Sequence, residues 1–265
     1  MTANVTKDVW ENFRRVTPAR VALGRAGNAM PTTEVLALAL AHARARDAVH
    51  IPLDVAAMEQ TCRALEFDTI PVHSSARDRA TYLRRPDLGR RLNRDDAARL
   101  SNSDGPFDIS FVIGDGLSSP AVQTNAPLLL DALKPCLQRS GYSVAPVVIA
   151  EQARVALGDE IGAALRARMS VVLIGERPGL SSCDSLGVYL TFSPKIGRTD
   201  AERNCISNIR PAGLDCRTAA KRLFWLIEEA FRTEKSGVAL KDSSDLPVLG
   251  DHDGSTIIPV IDPAT

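Results

Sequence analysis

Residues 107–119 read FDISFVIGDGLSS. An apolar run of strand length meets Gly114, Asp115 and Gly116, and then serines, which are residues that cap helices. That is the signature of a buried strand turning into a helix. The pattern repeats downstream. Residues 121–137 continue as the helix, GYSVAPVVIA (141–150) is a second strand, and residues 154–168 are helical again. SVVLIG (170–175) and GVYLTFS (187–193) supply a third and a fourth strand. Short continuous apolar runs alternating with helices predict a mostly parallel sheet covered on both faces. Residues 214–235 look like a long closing helix, followed by Gly237.

Upstream of this unit the first hundred residues read as helical. Trp10, Phe13 and Val16 recur at helix spacing, and Pro18 limits that element. Thr32 or Thr33 is suited to cap a helix running to about Val49, with Glu34 in its first turn. Weaker helical periodicity covers 54–65, 75–83 and 94–100, and YLRRPDLGRRL (82–92) is a charged connection broken by Pro86 and Gly89. The expected fold is therefore α/β: a Rossmann-like, mostly parallel sheet with a small helical N-terminal region. The expected divisions are 1–100 helical, 101–240 Rossmann-like, and 241–265 an irregular tail rich in Pro, Gly, Asp and Ser.

Composition excludes several classes. The formal net charge is zero, so no whole-protein basic field for nucleic acid is present. The longest apolar run, VLALALA (35–41), is far too short to span a bilayer, and the N-terminus has no apolar signal-peptide segment. Cys62, Cys136, Cys183, Cys205 and Cys216 are odd in number, widely spaced and contain no CxxC pair. That favours free thiols in a reducing cytosol over a disulfide framework or a zinc site.

In parallel sheets ligands sit beyond the carboxyl ends of the strands, so the loops carry the functional candidates. GDGLSS (114–119) is a glycine turn followed by capping serines, but it is neither a GxGxxG fingerprint nor a Walker loop. GERPGLSSCDS (175–185) opens a core strand onto one carboxylate, one guanidinium, three serines and a thiol. It reads either as a surface loop or as a pocket rim. RTDAERNCISNI (198–209) sets Cys205 among Asn204, Ser207 and Asn208. A stand-alone α/β enzyme with Cys205 or Ser118 as nucleophile would need a positioned base, and no histidine is near either in sequence. GxSxG and HExxH are both absent. Arg84, Arg85, Arg90 and Arg91 are either a docking surface or a solvated face.

Six blocks, taken in order, resemble one family. They are LGRAG from Leu23, HARARDAV from His42, YLRRPDLGRRL from Tyr82, DGLS from Asp115, IGERPGL from Ile174 and RNCISNIRPAGL from Arg203. Together they resemble the small (light) subunits of ethanolamine ammonia-lyase over about residues 14–237. The resemblance implies a carbon–nitrogen lyase that converts ethanolamine to acetaldehyde and ammonia with adenosylcobalamin. It implies a large-subunit partner with a TIM barrel that holds the substrate, in an assembly of six chains of each kind. The small subunit would close over the cofactor. The family's cobalamin keeps its own dimethylbenzimidazole as axial ligand, in keeping with the absence of a DxHxxG motif here; DHDG at Asp251–Gly254 does not match that spacing.

Val155, Glu176 and Cys205 fall at the family's cofactor-contact positions. Each was expected to follow a strand, so that all three meet at one sheet edge. No catalytic acid, base, nucleophile or metal ligand is expected in this chain, because the radical chemistry belongs to the cofactor. A cytoplasmic location is expected. The stretch before the matched blocks is shorter than the leader associated with microcompartment packaging in enterobacterial members.

Overall fold

Phe107–Gly114 forms the central strand in the computed structural model, which describes residues 5–244. From Ile109 to Gly114 every residue of this strand is buried, because helices cover both of its faces. Six strands share the sheet: β1 (Thr69–His73), β2 (Phe107–Gly114), β3 (Val147–Glu151), β4 (Ala167–Gly175), β5 (Leu186–Phe192) and β6 (Asn204–Ile209). Their order is β1-β3-β2-β4-β5-β6. The first four are mutually parallel, and β5 runs antiparallel to both β4 and β6. The architecture is thus mixed α/β with a mostly parallel sheet.

Seven α-helices accompany the sheet among the described residues: α1 (Thr32–His50), α2 (Val55–Ala64), α3 (Arg79–Arg84), α4 (Arg94–Ser101), α5 (Ser119–Ser140), α6 (Leu157–Ala164) and α7 (Cys216–Thr233). On one face α2, α5 and α7 pack a core that includes Met58, Leu129, Leu133, Leu223 and Ile227 against Phe111, Ile149 and Val171. On the other, α4 and α6 contribute Leu100, Leu157 and Ile161 against Val112, Val148 and Val172. Helix α5 shows how the sequence sets its ends. Ser118 caps it by accepting from the Ala121 N–H, Pro120 occupies the first turn, and Gly141 ends it in the left-handed conformation.

Several elements depart from the expected pattern. β1 lies in the segment read as helical; TIPVH contains a proline and buries only Val72, as suits an edge strand. β6 is also an edge strand, with Cys205 and Ser207 exposed, so NCISNI is strand rather than loop. Residues 11–15 form a 3-10 turn with no buried side chain, not an amphipathic α-helix. Pro31 stands at the N-cap of α1, and no threonine side chain caps it. β3 starts only after Pro146, and α6 starts at Leu157 rather than Arg154, with Ala167 and Arg168 already in β4. All five cysteines are free thiols. Of the tail expected to be irregular, residues 245–265 lie outside the described part. No helix among the described residues is long and apolar enough to cross a membrane.

Candidate functional site

The carboxyl ends of β2, β3 and β4 open onto one cleft of about 470 Å³. One rim is backbone packed against backbone. Gly116 has φ +56, and a Cβ there would lie 2.3 Å from the Gly175 carbonyl oxygen. A Cβ on Gly175 would meet the Ser118 carbonyl at 2.1 Å, and the Leu117 N–H donates to the Gly175 carbonyl at 2.9 Å. The glycines of GDGLSS and IGERPGL therefore let two loops close on each other and form one rim.

Asp115 sets the opposite wall. Its buried carboxylate accepts from the Ala153 N–H at 2.8 Å and the Gln152 N–H at 2.9 Å. This holds Gln152 in a left-handed turn at φ 52 and carries the chain round to Val155. Arg79 reaches the same carboxylate at 3.3 Å. Burial pushes the Asp115 carboxyl up to about 6, against the opposing pull of the Ala153 N–H and the Arg79 guanidinium. The folded protein thus holds this proton more tightly than the unfolded chain. The group's stabilising contribution is full below about pH 4 and is lost as pH rises to about 6, a fall of about 3 kcal/mol. Asp115→Asn removes that titration. Urea unfolding should show the stability of wild type relative to this variant falling by about 3 kcal/mol between about pH 4 and pH 7. A difference independent of pH would contradict the burial of a titrating carboxyl here.

Tyr82 and Arg154 complete this wall, and neither was among the expected site residues. The Tyr82 hydroxyl donates to the Ala153 carbonyl at 3.0 Å, and the Arg79 and Arg154 guanidinium groups lie 4.7 and 4.3 Å from its ring centroid. Gly89 allows this packing, since a Cβ there would come within 3.0 Å of the ring. Tyr82 and Gly89 belong to YLRRPDLGRRL, so that charged connection also builds the cleft.

Val155 and Glu176 both line the cleft, half-buried, on loops that leave β3 and β4. Glu176 is oriented through one oxygen: its Oε2 accepts from the Ser185 hydroxyl and, at 3.2 Å, from the Asn208 N–H. Its Oε1 has no hydrogen-bond partner among the described residues. Gly187 keeps open the space beside it, where a Cβ would lie 3.1 Å from Oε1. Arg177, the next residue, is exposed, so the pair does not close on itself.

Cys205 does not follow a strand, which corrects that part of the expected arrangement. It lies within β6, paired with Tyr189 of β5, which does line the cleft. Loss of water around the sulfur pushes the thiol up and the Glu176 charge adds to this, against the lowering pull of the Tyr189 hydroxyl. Val172, Ile174 and Tyr189 share one sheet face, and Cys205 and Ser207 prolong it as an exposed floor at the edge.

The nucleophile reading is not favoured by this geometry. The Ser118 hydroxyl is buried, donates to the Cys183 carbonyl at 2.7 Å and caps α5. A thiol held in its neutral form is a poor nucleophile. No histidine among the described residues hydrogen-bonds either group. His73 sits on β1, five strand spacings from β6, or about 24 Å.

A family model described as ethanolamine ammonia-lyase light chain (EutC) matches residues 7–241. A protein named ethanolamine ammonia-lyase small subunit from Azotobacter vinelandii is 53% identical over 248 residues, covering 92% of each chain. Its namesake from Ralstonia nicotianae is 50% identical over 251 residues, covering 93% of each. Another, from Pseudomonas aeruginosa, is 51% identical over 244 residues, covering 91% of this chain and 89% of that protein.

Proposed function

The chain belongs to the ethanolamine ammonia-lyase light-chain family, and from that premise we propose that its cleft grips the edge of adenosylcobalamin and holds it against the large subunit. When bound, that cofactor supplies the radical chemistry by which ethanolamine yields acetaldehyde and ammonia. This chain supplies binding and orientation. The observation that carries the reading is that Glu176 lines the same cleft as Val155, with Oε2 fixed by two hydrogen bonds and Oε1 without a partner among the described residues.

The corrin rim is built of primary amides, each with two N–H donors and a carbonyl. Glu176 Oε1 would accept one such N–H, while Oε2 stays committed to Ser185 and Asn208. Val155 gives an apolar contact on the opposite wall. Cys205, out on the exposed sheet floor beyond Tyr189, offers a small polarizable surface for a broad, flat ligand. A cleft at the carboxyl ends of parallel strands is also where a Rossmann-like domain meets its ligand, which supports that finer description of the fold. No group in this chain acts as acid, base or nucleophile. The cleft is open on one side, so a second chain is needed to exclude water from the reacting atoms. A six-plus-six assembly with a TIM-barrel large subunit, and a cytoplasmic location, belong to the same proposal.

Glu176→Ala should weaken adenosylcobalamin binding by the complex with the large subunit about tenfold, the low end for loss of one charge-assisted hydrogen bond. An absorbance titration of the two complexes reads this directly. Unchanged affinity would remove Glu176 from the site.

A further inference from the structure

We infer that the outer face of α1, together with the 3-10 turn at Glu11–Arg15, is the docking surface for the large subunit. This rests on the function proposed above and adds to it the surface used. α1 is 19 residues long and buries only Ala48. Its inner stripe of Leu38, Ala41, Ala45 and Val49 is half-buried, leaving an opposite face that a lone soluble chain would make polar. That face instead carries Leu36 at 63% and Leu40 at 51% exposure, one turn apart. The turn beside it leaves Trp10 at 62%, Phe13 at 51% and Val16 at 79%. Arg14 donates to Glu34 at 2.8 Å and ties the turn to the first turn of α1. Apolar groups clustered in this way mark an interface.

The occupant follows from continuity with the cleft. Arg20, in the same arm, donates to the Leu180 carbonyl of the GERPGL loop. At the far end of α1 the Val49 carbonyl accepts from Arg79 at 2.6 Å, and the Arg79 guanidinium lies over the Tyr82 ring of the cleft wall. The arm and α1 are thus anchored to the same loop and wall that build the cleft, and the chain that closes the cleft extends over this neighbouring surface. The relatives are named small subunits, so the partner of unlike kind is a large subunit. A second copy of this chain would leave the cleft without its substrate-bearing neighbour.

The test is a double variant, Leu36→Asp with Leu40→Asp, co-expressed with the large subunit and compared with wild type by analytical ultracentrifugation. Both side chains are exposed, so circular dichroism should match wild type. The expected result is about a hundredfold weaker association, two apolar anchors being replaced by charges. Val238→Asp, at another strongly exposed apolar position, should leave association unchanged. Undiminished association of the double variant would overturn the inference. So would an equal loss in Val238→Asp, or a double variant that loses only self-association while keeping its large-subunit complex. Failure of an intact wild-type complex to bind adenosylcobalamin would instead defeat the cofactor reading and leave this surface standing.

Discussion

Replacing Arg203 with methionine is expected to cost about 3–5 kcal/mol of folding stability, read as a lower urea midpoint at unchanged slope. Arg203 forms a two-pronged ion pair with Asp159, Nη1 and Nη2 each 2.7 Å from a carboxylate oxygen. Its side chain is 2% exposed and that of Asp159 3%. Nη1 also donates to Thr191 and Nη2 to the Arg198 carbonyl. Removing the guanidinium leaves a buried carboxylate without a counter-charge, and that uncompensated charge sets the size of the effect. Asp159→Leu combined with Arg203→Met should recover much of the loss, since an apolar pair of similar volume is often neutral. A single variant losing under about 1 kcal/mol would contradict the burial of this pair. The pair also matters for the site. Asp159 is in α6, just after Val155, and Arg203 stands immediately before β6, so their bond fixes the Cys205 strand relative to the cleft wall.

Gly116→Ala should lower stability by about 2–5 kcal/mol and lose cofactor binding with it. A left-handed backbone costs a non-glycine residue about 1–2 kcal/mol, and forced overpacking adds about 1–3. The new methyl would stand 2.3 Å from the Gly175 carbonyl oxygen, so the two loops must part and the Leu117–Gly175 hydrogen bond must break. Gly27→Ala makes a fair comparison: it shares a positive φ of +62, but nothing lies within 4 Å of the added Cβ. It should show the backbone cost alone and normal cofactor affinity. Equal behaviour of the two variants in unfolding and in an adenosylcobalamin titration would contradict the close approach of the loops.

Buried strands were the legible part of this sequence. FVIG and VVLIG are continuous apolar runs because helices cover both faces of β2 and β4, so composition alone marks them. The edge strands were not legible for the converse reason. β1 has a proline and one buried residue, and β6 mixes Ile206 and Ile209 with exposed polar neighbours. A sequence without a visible β6 places Cys205 after a strand, whereas it stands within one. Glu176 was legible because a carboxylate placed straight after a core strand must leave the core at the strand's carboxyl end. Tyr82 was not, because its role depends on the insertion of β3 between β1 and β2, which brings Ala153 beneath a helix about seventy residues earlier in the chain. Local periodicity carries no information about strand order.

The most direct measurement is an absorbance titration with adenosylcobalamin of the large subunit alone and of its co-purified complex with this chain. If this chain forms one wall of the cofactor site, the complex shows saturable spectral change and produces acetaldehyde from ethanolamine, while the large subunit alone does neither at the same concentrations. Equal binding and turnover by the large subunit alone would show that the cofactor is held without the cleft of Val155 and Glu176.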